Sequence, residues 1–225
     1  MKAIFFGSIG SIVETSEIQR DAFNRAFEAF HLDWHWDQET YRQLLKASGG
    51  RNRIADYAKG LGVDVGAAAI HKLKTELFQE RLWEEGCQFR EGVADVLNLA
   101  QARSLFTGLI TGTDRQTVDL ISTSLKARFA VEFDIVTSRA TVCVDKPSPE
   151  LYRHALGTLE LCPSEVIAIE DNQPGIDAAL AAGVTTISFP GINTPDVKGA
   201  TYNAGNGSDL RDCAELLLNK DLGKG

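Results

Sequence analysis

Five short runs rich in β-branched and aromatic residues punctuate the chain: Ala3 to Phe6, Leu105 to Ile110, Phe133 to Thr137, Val166 to Ile169 and Thr185 to Phe189. Helical patterning follows them. Such alternation predicts a parallel sheet covered on both faces, because parallel neighbours need crossover connections and those crossovers are usually helices. The expected fold class is therefore α/β, a three-layer core with a parallel sheet between helices. In such sheets ligands bind beyond the carboxyl ends of the strands, so the loops after Phe6, Ile110 and Ile169 are where chemistry is expected.

Between about Thr15 and Cys87 the alternation stops and only helical periodicity remains. Ser16-x-x-Gln19 reads as a capping box, followed by Ile18, Ala22, Phe23, Ala26, Phe27 and Phe30 on one buried face. A second helix is expected over 67–85 with Ile70, Leu73, Leu77, Phe78 and Leu82 inward. Shorter helical patterns at Tyr41 to Lys46 and Asn52 to Lys59 flank the break Gly49-Gly50. The pattern predicts two domains, an α/β core of residues 1–14 and 88–225 and an all-helical cap of residues 15–87. Trp34, His35 and Trp36 are expected to pack inside that cap, since no basic stripe accompanies them for base stacking.

A net charge of −8 and an isoelectric point near 5.1 exclude a sequence-independent nucleic-acid or anionic-membrane surface, which needs clustered Lys and Arg. No apolar stretch approaches the roughly 18 residues that span a bilayer, and MKAIFFGS is too short for a signal-peptide core. A cytoplasmic protein is expected, and the sequence leaves the oligomeric state open. Cys87, Cys143, Cys162 and Cys213 lack metal or disulfide spacing and read as small buried side chains. His31, His35, His71 and His154 show no ligand spacing either. Asn206-Gly207-Ser208 reads as a turn.

Three separated features sit where a parallel sheet brings them together. Thr111-Gly112 follows a strand and offers a hydroxyl and backbone amides to a phosphate oxygen. Lys146, in Asp145-Lys146-Pro147-Ser148-Pro149, is read as opening a helix where its charge neutralises a phosphoryl group. Glu170-Asp171 ends an apolar strand ahead of Gly175, placing paired carboxylates at the ligand edge. A hydroxyl, a cation and a magnesium-type carboxylate pair describe a phosphoryl-transfer site.

In this order the features resemble the haloacid dehalogenase superfamily, with Thr111 as its motif II, Lys146 as motif III and IAIEDNQPGIDAALAAGV as motif IV. The helical insertion resembles the cap of subfamily I. Leu32-Asp33-Trp34-His35-Trp36-Asp37, Tyr41, the stretch from Ser48 to Ile54 and His71 to Thr75 resemble the β-phosphoglucomutase branch that includes xylulose-1,5-bisphosphate phosphatases. The resemblance implies a small phosphorylated metabolite as partner. It also implies phosphate contacts from Ser8, Ser11, Thr111, Gly112 and Lys146, and ligand contacts from Glu14, Ser48, Gly49, Gly50, Arg51, Arg53 and Lys74. Mg2+ is implied at Glu170 and Asp171.

The chain departs from the resemblance at motif I. Superfamily members carry DxDGT after the first strand; here the stretch is Gly7-Ser8-Ile9-Gly10-Ser11, followed by Glu14. Gly7 stands at the nucleophile's position and Ile9 at the general acid/base's, so no intact catalytic pair is present and Mg2+ binding is expected to be weakened. Removing members of such a unit commonly lowers kcat by about 10⁵ to 10⁶-fold. Three readings stay open: a nearly inactive, ligand-binding relative of sugar-phosphate phosphatases; a hydrolase with a replaced nucleophile, Ser8 or Ser11; and a protein-interaction module with a relic pocket. If the surrounding shell is intact, returning Asp to both positions is expected to give weak magnesium-dependent phosphatase activity.

Overall fold

The computed structural model describes residues 1–45, 49–191, 193–194, 196–204, 210–212 and 214–215. The chain divides into two compact units, one of residues 1–14, 87–191 and from 196 onward, the other of residues 15–86 with the segment around Asn193.

The first unit holds a parallel sheet of six described strands: β1 (Ala3–Phe6), β2 (Phe106–Leu109), β3 (Ile135–Val136), β4 (Val166–Glu170), β5 (Thr185–Ser188) and β6 (Tyr202–Asn203). Their spatial order is β3-β2-β1-β4-β5-β6, so the chain moves outward from β1 and then crosses back to its other side. That reversal opens a crevice beside β1 at the carboxyl ends of the strands. Register makes the crevice level: Phe6 stands opposite both Leu109 and Ile169. Gly7 and Ile110 therefore leave the sheet together, level with Glu170, the last residue of β4.

Both central strands are buried on both faces, which is why their sequences read as unbroken apolar runs. In β2, Gly108 is required by space: a Cβ there would lie 2.8 Å from Phe5 and 2.9 Å from Ile135. β3 is shorter than the expected Phe133 to Thr137, and Phe133 instead packs edge-on against Phe6 with ring centroids 6.3 Å apart. β6 was not expected, since its two residues carry almost no pattern.

Helices α1 (Ser16–Ala29), α2 (Gln38–Leu44), α3 (Gly50–Gly60) and α4 (Ala67–Glu85) form the second unit. Helices α5 (Val93–Ala102), α6 (Arg115–Phe129), α7 (Glu150–Thr158) and α8 (Gln173–Ala181) belong to the first. The helical unit is built on aromatics: Phe23 and Phe27 of α1 meet the fully buried Trp36 at centroid distances of 4.8 and 4.7 Å. Trp36 is also anchored through its backbone, whose N–H donates to Asn24 Oδ1 and whose carbonyl accepts from Asn24 Nδ2. The Trp34 to Trp36 segment thus packs within its own unit, while His35 is exposed.

Several local expectations are corrected. The N-cap of α1 is Thr15, with no side-chain capping bond; Gln19 Nε2 donates instead to Thr15 Oγ1 at 3.2 Å. Phe30 lies past the helix and is exposed. On α4 the buried stripe is Ile70, Lys74, Phe78 and Leu82, with Leu73 and Leu77 only partly buried, because the aliphatic stem of Lys74 joins the apolar face. Lys146 does not open a helix; it lies in a turn, joined to Pro147 by a cis peptide bond, and α7 begins at Glu150. Of the cysteines, Cys87 is buried but Cys143 and Cys162 are exposed. Cys213, the Asn206-Gly207-Ser208 turn and Ser48 lie outside the described residues.

Candidate functional site

The loop leaving β1 folds on itself. Ser8 Oγ accepts from the Ser11 amide at 3.0 Å, Ser11 Oγ donates to the Ser8 carbonyl at 2.7 Å, and a short 3-10 turn follows over Ile9–Ser11. The one proton of the Ser8 hydroxyl is donated to Asp171 Oδ1 at 2.6 Å. Ile9 is buried in the apolar interior. Thr111 is likewise satisfied locally, its hydroxyl donating to Thr113 Oγ1 at 2.9 Å and accepting from the Thr113 amide. Gly112 is pressed by Asp145, whose Oδ1 lies 2.0 Å from where a Cβ would stand.

Lys146, Glu170 and Tyr152 occupy the place beside Gly7. The ammonium has three protons and three acceptors: the Gly7 carbonyl, the Ile110 carbonyl at 2.8 Å and Glu170 Oε1 at 2.6 Å. Tyr152, from the buried face of α7, donates its hydroxyl to the same Oε1 at 2.7 Å. Glu170 is wholly buried. Burial pushes its carboxyl above the usual range, against the pull of the Lys146 charge, and burial followed by the Glu170 charge pushes the Tyr152 phenol well above its ordinary value.

Gly7 is what makes room for this cluster. A Cβ on Gly7 would lie 1.9 Å from Glu170 Oε1 and 2.4 Å from the Tyr152 hydroxyl; one on Gly175 would lie 2.1 Å from Glu170 Oε2. The carboxylate is thus clasped between two glycines, and the volume a nucleophile needs at position 7 is already filled. Sequence reading missed Tyr152, although a tyrosine on the apolar face of a helix signals a hydroxyl in need of a buried partner.

It also missed Arg90, for which the sequence carries no signal. Its guanidinium donates to the carbonyls of Gly10 at 2.8 Å, Phe189 at 2.6 Å and Pro190 at 2.7 Å, and lies 3.6 Å from the centroid of the Phe189 ring. Burial pulls its pKa down, while the charges of Asp171 and Glu14 act to raise it.

The donor set does not suit a divalent cation. Glu170 is directed at Gly7 and Gly175, whereas Asp171 Oδ2 is directed at Gly10, 2.0 Å from where its Cβ would stand, so the paired carboxylates diverge. Asp171 Oδ1 already accepts from Ser8 and Asn172. Among the described residues no three His, Cys, Asp or Glu side chains gather as a metal site.

In the helical unit, Gly49 (φ +89°) precedes α3, Gly50 faces His71, and Arg51 is exposed on the first turn. Arg53 and Lys74 are buried and share the Phe23 ring, at 5.8 and 4.7 Å from its centroid. Arg53 Nε donates to the Leu44 carbonyl at 2.9 Å and Lys74 to Gln19 Oε1 at 3.0 Å. The expected site residues therefore form two groups, one in each unit.

A parallel sheet with a topological switch beside β1, with Thr111, Lys146 and Glu170-Asp171 on its carboxyl edge and a helical unit inserted after β1, defines a hydrolase frame of the phosphoryl-transfer type. The chain belongs to the haloacid dehalogenase-like hydrolase family, whose model matches residues 10–189. That match begins at Gly10, past both Gly7 and Ile9. Within the family the chain falls with the CbbY proteins. It is 36% identical to protein CbbY of Cereibacter sphaeroides over 86% of each chain. The crystal structure of CbbY from Rhodobacter sphaeroides in complex with phosphate superposes with a TM-score of 0.78, at 35% identity over 91% of this chain and 93% of that one. A putative β-phosphoglucomutase from Thermotoga maritima shares the fold at a TM-score of 0.71 and 21% identity, over the whole of both chains. Among the described residues no helix is long and apolar enough to cross a membrane.

Proposed function

We propose that this chain is a non-hydrolytic member of its family that binds a small phosphorylated metabolite. One observation carries the loss of turnover: position 7 has no side chain, and Glu170, Tyr152 and Lys146 fill the space where a nucleophile would stand. Covalent phosphoryl transfer through an aspartate has no acceptor atom here, and Ile9 has no proton to give. Retained binding is supported by a mutant of CbbY from Rhodobacter sphaeroides crystallised in complex with xylulose-(1,5)bisphosphate, a protein 35% identical to this chain. It is supported physically too. Gly7 and Ile9 bring no charge, which removes repulsion of about 4 kcal/mol per pair of unit charges at 4 Å and an effective dielectric near 20. Arg51, exposed beside the Gly49-Gly50 break, is a cation of the helical unit open to a phosphate from solvent.

Phosphate release from sugar mono- and bisphosphates, xylulose 1,5-bisphosphate included, is expected to stay at the buffer rate with or without Mg2+. Calorimetric titration with the same compounds is expected to give heat that Arg51→Ala diminishes. Turnover above about 10⁻³ of that of an active relative overturns the first half of the proposal, and no binding to any of them overturns the second.

A second reading rests on the bond between Ser8 and Asp171. A hydroxyl donating to a carboxylate at 2.6 Å is a nucleophile with a base in reach, which the sequence alone did not reveal. In that reading Ser8 Oγ attacks phosphorus and its proton passes to Asp171, which returns it to the departing oxygen as the P–O bond to the sugar breaks, leaving phosphoserine for water to hydrolyse. The same oxygen is committed to the Ser11 amide, which favours a structural role. Labelling by a fluorophosphonate probe is expected to leave Ser8 unmodified; a mass shift that disappears in Ser8→Ala establishes the second reading instead.

A further inference from the structure

The carboxylate expected to hold Mg2+ has a different counter-ion. Glu170 is wholly buried, is bound through Oε1 by both Lys146 and Tyr152, and is clasped between Gly7 and Gly175. Lys146 is itself nearly enclosed, its side chain 10% exposed, and spans the carbonyls ending two neighbouring strands' loops, Gly7 and Ile110. Glu170 Oε2 has no hydrogen-bond partner among the described residues, and it lies against Gly175 in the first turn of α8, where the aligned peptide dipoles favour negative charge.

We propose that the Lys146 ammonium replaces the divalent cation in this chain, so that Glu170 is the counter-ion of a lysine rather than a metal ligand and the protein binds no Mg2+. The physical basis is twofold: the third carboxylate is lost, and the ammonium already neutralises the one that is buried. Magnesium is held through carboxylates and waters in strict octahedral geometry. With Gly7 in place of an acid and with Glu170 and Asp171 diverging, an ammonium carrying three protons satisfies the one buried carboxylate better than a partly hydrated ion. Two outward signs follow: stability insensitive to metal, and a latent metal affinity that appears only when the ammonium is removed.

Both are measured without turnover, so this inference and the non-hydrolytic reading stand or fall separately. In electron paramagnetic resonance titration, wild-type protein is expected to leave the free Mn2+ signal undiminished at millimolar ion, and its melting temperature is expected to be the same in EDTA and in Mg2+. Lys146→Met leaves Glu170 buried without its partner and is expected to lower the melting temperature by about 10 °C. Mn2+ or Mg2+ is expected to recover about half of that loss. Stoichiometric uptake of Mn2+ by the wild type overturns the inference, as does a Lys146→Met protein that folds and gains nothing from metal. Should Lys146→Met not fold, the wild-type titration decides alone.

Discussion

Gly7→Asp combined with Ile9→Asp is expected to give a less stable protein that still releases no phosphate. Sequence comparison alone expects weak activity from this substitution, provided the shell around the lost aspartates is intact. The shell has closed. A Cβ at position 7 would meet Glu170 Oε1 at 1.9 Å and the Tyr152 hydroxyl at 2.4 Å, and Gly175 blocks retreat on the far side of the carboxylate. Overpacking of this kind costs about 1–3 kcal/mol. A new acid beside Glu170 adds like-charge repulsion, and replacing the buried Ile9 by aspartate removes apolar burial while adding a desolvated charge. Together these amount to at least about 4 kcal/mol, which lowers the melting temperature by about 10 °C or more in a protein of this size. Adding Glu170→Asp shortens the obstructing side chain by one methylene and is expected to recover part of the stability. Thermal denaturation and phosphate release check both variants; an active double variant with an unchanged melting temperature would mean that Glu170 moves aside freely.

The contrast between those two expectations marks how far the sequence reaches. The central strands were legible because burial on both faces leaves an unbroken apolar run, as in Val166 to Ile169. α4 was legible to its ends because nineteen residues give periodicity room to accumulate. Thr111 and Glu170 were legible as parts of one site because strand order brings the ends of β1, β2 and β4 to one level, whereas the pairing of Glu170 with Lys146 was not. What spacing does not carry is where a vacated volume goes. That Gly7 would admit the Glu170 carboxylate, and that Tyr152 would turn its hydroxyl to it, depends on side-chain packing across three elements. Lys74 escaped for a related reason: a long aliphatic stem serves an apolar face as well as a charge serves a ligand. The two residues of β6 hold their place by backbone pairing to Ile187 and Ser188, which leaves almost no mark on residue type.

Arg90→Met is expected to lower stability by about 3 kcal/mol, or roughly 10 °C in melting temperature. The methionine keeps the apolar stem but withdraws the guanidinium from the Phe189 ring and every donor from the carbonyls of Gly10, Phe189 and Pro190. A buried carbonyl left without a donor costs about 1–3 kcal/mol, and water entry offsets part of that. The consequence for the site is local. The Arg90 amide donates to the Ile12 carbonyl at 2.9 Å, and Phe89 forms a bridge with Val13, so this one segment holds the β1 loop from both its backbone and its side chain. Losing the guanidinium is expected to speed hydrogen exchange at the Ile12 and Val13 amides, which close the turn onto the Ile9 carbonyl. Arg90→Lys is expected to fall between the two. An ammonium keeps the charge that faces Asp171 and Glu14, but on its flexible stem it lacks the planar fork that reaches three separate carbonyls. A lysine variant as stable as the wild type would show that charge alone holds the loop, and the hydrogen-bonded fork would then be incidental.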